Sequence, residues 1–348
     1  MAILNIKVDN KSLQPQKAIV GPIFGSKNVL TNSRWEFVEL WLKKEKKYDA
    51  LFFWNQSREF SRAAAGLSMA SSPLLHYYSF MNAAKALLSS KNIAFSPYHG
   101  VGQYSAPNRR VITLSNEGVA IRVNGVLPSL SIYYGEAETS IRHTLQEIFY
   151  NLPYIHRTYC LSYKGQKDMF IPIKNTEFVK DTSTNEVYFR AIISDSFSSN
   201  LILRRLPPSL RLDYLSDNIY GVRSVDHITI RRPTNMTDRE KRDLNNLHLS
   251  LRKDILYING THTLWYIKGN VPGPAKIERF PTTLTLAAMH RLSELSRYKP
   301  TELNSFFESQ KNWLISEFIQ QSPDQFLDEM ASEITGYQFL QPNIRFAT

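Results

Sequence analysis

The chain has 348 residues, 43% of them hydrophobic and 21% charged, with a formal net charge of +11. That length and balance suit a globular protein with a sizeable core, and no run approaches the roughly 20 apolar residues that span a bilayer. The opening MAILNIKVDNKS lacks the charged start and apolar stretch of a secretory signal, and Cys160 is the single cysteine. An intrachain disulfide and a cysteine zinc cluster are therefore excluded. The expectation is a cytoplasmic protein with no membrane contact, no metal and no other cofactor.

The charge is uneven. Residues 301–348 hold seven acids against Lys311 and Arg345, a balance of −5 that leaves +16 on the first 300 residues. A basic body favours polyanionic partners such as RNA or DNA.

Residues 1–31 read as an extended segment with short strand-like pieces. A helical block follows over 32–96: Trp35, Val38 and Leu42 supply one buried face and Leu51, Trp54 and Phe60 the next, with a break near Tyr48 or Asp49. Its third helix, over 73–93, is apolar nearly all round. Pro73 suits its first turn and Ser71 or Ser72 its cap. Only His76, Ser79, Asn82 and Lys85 interrupt the apolar pattern, three residues apart, as a narrow polar seam. This helix is expected at the centre of the fold.

Residues 97–281 read as a β-rich middle region. The run 109–126 predicts a hairpin turned at Asn116-Glu117-Gly118, and 138–150 a short helix. Strands are expected at 187–193, 201–206 and 227–231, with Pro207-Pro208 as a turn. Residues 236–252 form a charged helix capped by Thr237 or Asn235, and 255–267 a hairpin turned at Asn259-Gly260. A last helical block, 282–348, starts at Thr283, breaks before Pro300, resumes over 303–320 and continues after Pro323. The fold class expected is α+β: a mainly helical core, with the N- and C-terminal helical blocks packed together, and the β-rich middle as an insertion.

Five segments, FFWNQSREFSRAAAG (52–66), PLLHYYSFMNAAKALL (73–88), YHG (98–100), TLQEIFYNLPYIHRTY (144–159) and LSELSRYKP (292–300), resemble in order the YaaC-like family of bacterial proteins. The resemblance implies a mostly helical core with a β-rich insert, and no reaction. HYYSFMNAAKALL alone is similar to a core helix of HEPN-superfamily proteins. That likeness implies a place in phage defence and, for active members, metal-independent RNA cleavage by an arginine and a histidine.

Arg242 and His248, in RDLNNLH, have the arginine-to-histidine spacing of that chemistry, in which the histidine handles a proton and the arginine steadies the phosphate. Six positions on a continuous helix set the two side chains about 120° apart. The seam residues His76, Asn82 and Lys85, the loop residue His99 and the helix-end Arg297 form a pocket if the two helical blocks pack together. Arg204, Arg205, Arg231, Arg232, Arg239, Lys241, Arg252 and Lys253 crowd one span with Tyr214, Tyr220 and Tyr257, a pattern that suits backbone neutralisation with base stacking. No zinc-binding His-Glu-x-x-His, nucleophile elbow or kinase motif is present. The expected function is binding of nucleic acid, RNA ahead of DNA, or of a partner subunit, whether another protein or a second copy. The alternatives are a ribonuclease using Arg242 and His248, and an assembly subunit that touches no nucleic acid.

Overall fold

The structure is a computed structural model. It describes residues 3–8, 11–106, 111–216, 219–271, 276–309 and 311–341, with the backbone alone at 214–216. These residues fall into two compact units. One comprises the described residues of Met1–Asn32, Asp168–Val271 and Gly336–Thr348; the other comprises those of Ser33–Lys167 and Pro272–Thr335. The class is α+β.

The chain opens with short strands β1 (Ile3–Asn5), β2 (Lys7–Val8), β3 (Lys11–Ser12) and β4 (Val29–Leu30). Helices α1 (Arg34–Lys44), α2 (Tyr48–Ala64) and α3 (Ser72–Ser90) follow. Then come β5 (Val101–Ser105), β6 (Glu117–Ile121), α4 (Val126–Tyr134), β7 (Arg142–Thr144), α5 (Leu145–Tyr150) and α6 (His156–Ser162). The next stretch holds β8 (Phe170–Asp181), β9 (Glu186–Ile193), α7 (Asn200–Leu203), β10 (Leu210–Ser216), β11 (Ile219–Ser224) and β12 (Ile228–Thr229). After α8 (Asp238–Arg252), β13 (Ile255–Ile258) and β14 (Leu264–Lys268) come α9 (Pro281–Tyr298), α10 (Pro300–Phe307), α11 (Asn312–Thr335) and β15 (Phe339–Leu340).

In the first unit an antiparallel sheet runs β10-β11-β9-β8-β14-β13, with β1 added to β8 and β12 to β9. The N-terminal segment thus completes this sheet rather than standing apart from it. Val187, Phe189 and Ala191 of β9 and Leu244, Leu247 and Leu251 of α8 belong to the sheet unit's apolar core. The helix starts where expected: the Thr237 hydroxyl accepts from Glu240 N–H, and the Glu240 carboxylate accepts from Thr237 N–H.

In the second unit α3 packs against α2, α4, α9 and α11. Ser57 and Ser79 exchange hydroxyl-to-carbonyl bonds of 2.7 and 2.9 Å between α2 and α3. These small residues let the two helices approach while leaving no buried hydroxyl unmet. Arg34 of α1 is buried and donates to Asp328 at 3.0 Å and to Asp324, both on α11.

Several sequence expectations change. Glu117 and Gly118 are strand residues of β6, which lies between β5 and β7, so the expected turn falls earlier, where Asn116 and Glu117 N–H donate to the Thr113 carbonyl. Gly118 is small because β7 presses on it: a Cβ would sit 2.1 Å from the His143 carbonyl oxygen. Residues 107–110, in which the expected hairpin begins, lie outside the described residues. Of the 138–150 helix only α5 is helical, and its start is fixed by a Thr144–Glu147 capping box. The strand expected at 201–206 is the single turn α7. Pro281 opens α9, so Thr283 is an interior residue rather than its cap. Pro323 lies inside α11, where buried Phe326 and Met330 and the Arg34–Asp328 pair hold the next turns in place.

Candidate functional site

A cleft of about 360 Å³ opens in the helical unit. One wall is α3, with Tyr77, Tyr78, Met81, Asn82 and Lys85; the facing wall is α9, with His290, Ser293, Glu294, Arg297 and Tyr298. The loop residues Pro97, Tyr98 and His99 close the third side.

The loop is fixed by backbone bonds. Val126 and Leu127 N–H, at the start of α4, donate to the carbonyls of Tyr98 (2.8 Å) and His99 (3.2 Å). Gly100 makes this approach possible: it has φ of +76°, and a Cβ there would lie 2.4 Å from Pro128 Cδ. Its glycine serves close packing rather than a phosphate cradle. Val101 N–H donates to His99 Nδ1 at 3.2 Å, which leaves the Nε2 edge of this exposed ring for other partners.

Charge in the cleft is unbalanced. Lys85 is half-buried, burial lowers its pKa, and its ammonium lies 5.6 Å from the centroid of the Phe53 ring. Among the described residues no carboxylate pairs with Lys85 or with Arg297, whose guanidinium lies over Tyr298. Glu294 is the acid that lines the cleft, and Arg291 already holds it at 2.7 Å while also reaching buried Glu117 at 2.7 Å. Tyr98 and Tyr298 are 72% and 66% exposed.

His290 is 3% exposed and forms part of the α9 wall. Its ring lies 4.6 Å from that of His99 and meets Tyr77 edge-on at 5.0 Å. Burial, then His99 and Arg291, lower its pKa to about 3, so the imidazole is neutral. Its Nδ1 stands 3.8 Å from Glu294 Oε2, beyond a hydrogen bond. Burial, with Tyr78 and Glu294 nearby, raises the pKa of Tyr77, which stays a phenol.

The expected pocket residues Asn82, Lys85, His99 and Arg297 thus line one cleft, and His76 does not. A three-residue step turns a helix by about −60°, so the polar seam winds round α3 and its ends lie about 180° apart. His76 sits beside Phe80, its Nδ1 is buried without a partner, and burial lowers its pKa to about 4. Asn82 donates to the Tyr78 carbonyl at 2.8 Å. His290 was missing from the sequence reading. The signal was available as His290, Glu294 and Arg297, a polar stripe at i, i+4 and i+7 of α9.

Arg242 and His248 are not brought together. Arg242 is exposed on α8, whereas His248 is fully buried. Gln16 N–H donates to His248 Nε2 at 3.0 Å, Phe24 packs edge-on against the ring, and burial followed by Arg252 lowers its pKa to about 3. The basic span divides in the same way. Arg204, Arg231, Arg232, Arg239, Lys241 and Lys253 are exposed. Arg205 donates to the Asp168 carbonyl, and Arg252 is buried, bonded to the carbonyls of Gln16, Lys17 and Ile255. Tyr257 is buried beside Arg252, and Tyr220 packs on the sheet core. The side chain of Tyr214 lies outside the described residues.

Fold and cleft together define an α+β protein with a cation-lined, tyrosine-flanked cleft in its helical unit. The family model for YaaC-like proteins matches residues 24–334, and the chain belongs to that family. No curated protein and no solved structure matches the chain. Among the described residues no helix is long and apolar enough to cross a membrane.

Proposed function

We propose that this protein binds single-stranded nucleic acid in the cleft between α3, the Pro97–His99 loop and α9. The observation that carries this reading is Lys85, a half-buried cation with no carboxylate partner among the described residues. Burying a charge without a counter-ion is unfavourable, and a phosphate in the cleft supplies one. Arg297 provides a second cation, and exposed Tyr98 and Tyr298 offer faces for base stacking. The volume suits one nucleotide of a strand rather than a duplex. In the sheet unit, Arg204, Arg231, Arg232, Arg239, Lys241 and Lys253 are exposed cations that suit salt-sensitive backbone neutralisation of their own.

The test uses the full chain with fluorescein-labelled single-stranded RNA and DNA oligomers in EDTA. Anisotropy is followed across a salt series, and strand integrity is checked on a gel. The reading expects binding that weakens with salt and falls about tenfold in Lys85→Met. Binding that is unchanged in Lys85→Met and in Arg297→Ala removes the cleft from the account.

A further inference from the structure

Each of the three sides of the cleft carries a hydrogen-bond donor that no carboxylate engages. Lys85 comes from α3, Arg297 from α9 and His99 from the loop that closes the third side. None of the three makes an ion pair among the described residues. His99 is exposed, and its tautomer is fixed by its neighbour. Val101 N–H can only donate, so Nδ1 must accept, and in the neutral ring the proton sits on Nε2. Among the described residues that Nε2–H has no acceptor. Glu294, the acid on the α9 wall, is already held by Arg291.

This set of groups defines the charge and the acceptors of a matching ligand. An internal phosphodiester carries a single negative charge on its free oxygens. A terminal phosphate monoester offers three acceptor oxygens and a charge of about −1.5 to −2 at pH 7. Two cations and one neutral donor match the monoester in both respects. The shape of the cleft agrees. A strand that threads a site needs an entry and an exit. Here Pro97, Tyr98 and His99 occupy the third side, pinned to α4 by the bonds from Val126 and Leu127 N–H at 2.8 and 3.2 Å. A volume of about 360 Å³ closed in this way suits the last nucleotide of a strand.

We propose that the cleft takes the phosphorylated end of a single strand: Lys85, Arg297 and His99 Nε2–H hold the terminal phosphate, and Tyr98 and Tyr298 flank the last base. This rests on the nucleic-acid reading of the same cleft and narrows it to strand ends. A 5′-phosphate and a 3′-phosphate carry the same chemistry, and the experiment separates them.

The test uses one RNA sequence in four forms: 5′-phosphorylated, 3′-phosphorylated, hydroxyl at both ends, and circular. Each carries fluorescein on an internal base and is followed by anisotropy on the full chain in EDTA. Wild-type protein is expected to bind at least one phosphorylated form about tenfold more tightly than the hydroxyl-ended form, with the circle no tighter than the latter. Lys85→Met removes the preference. His99→Asn keeps an oxygen that can accept from Val101 N–H but has no donor at the Nε2 position, so the preference falls about threefold. Circular dichroism establishes that each variant folds; should His99→Asn fail to fold, Arg297→Ala, at an exposed helix end, takes its place. Equal binding of all four forms, still dependent on Lys85, overturns the end assignment and leaves the cleft reading standing. A preference for phosphorylated ends that survives in both Lys85→Met and His99→Asn places the end outside the cleft and also overturns the assignment. Binding of no form overturns both readings.

Discussion

Two buried histidines, one in each unit, set the terms for reading this protein. His248 in the sheet unit and His290 in the helical unit are both nearly inaccessible, and both have pKa values lowered to about 3, with burial the largest cause. Burial and titration do not tell them apart; their partners do. His248 accepts from Gln16 N–H and packs on Phe24 inside an apolar core. His290 stands against a cleft with no hydrogen bond to its ring. A depressed pKa therefore marks burial first; what separates the two rings is that His290 lines a cleft, whereas His248 lies against the apolar core of the sheet unit.

The largest effect that sharpens this contrast is His248→Ala. It removes a packed ring and leaves the buried Gln16 N–H without an acceptor, so a loss of about 2–4 kcal/mol is expected in urea denaturation. A loss below about 1 kcal/mol would break the contrast from the sheet side.

Acid acts on both units. His76, His248 and His290 have folded pKa values below the 6.5 of the unfolded chain, so the unfolded state takes up their protons first. Stability is full above about pH 6.5 and falls as pH drops toward the folded values, with a limiting slope of about 1.4 kcal/mol per pH unit for each histidine. Thermal melts between pH 4 and 7 should show this fall, and His290→Phe should flatten part of it.

Lys85→Met is expected to cost nucleic-acid affinity about tenfold and to reduce the salt slope by about one, while stability is kept or slightly raised. The smallest effect is on the stability of His290→Phe. That variant removes an unmet polar group together with the imidazole, so it should shift unfolding by less than about 1 kcal/mol. A cost as large as that of His248→Ala would mean that His290 is a structural residue like its counterpart.

The central place of α3 was legible because apolar residues fall on every face of 73–93, which only a buried helix tolerates. Asn82 and Lys85 were legible as polar exceptions to that pattern, His99 as part of the glycine-flanked loop that follows, and Arg297 as the cation at the end of a later helix. The rotation of the seam was overlooked: spacing by three looks like one face in the sequence but winds round the helix. Glu117 read as a turn residue because Asn116 and Gly118 flank it. The strand it opens pairs on one side with 142–144, distant in the chain, and its buried charge is met by Arg291, 174 residues away. The arginine-histidine pair at 242 and 248 shows the converse. Its spacing was apparent, whereas the burial of the histidine depends on Gln16 and Phe24, which no local pattern announces.

The most direct test of the cleft is its address. Full-length protein is irradiated with single-stranded RNA carrying 4-thiouridine, and the cross-linked peptides are mapped by mass spectrometry. The account predicts cross-links at Tyr98 or Tyr298 that disappear in Lys85→Met; cross-links confined to the sheet unit, unchanged by that substitution, would contradict it.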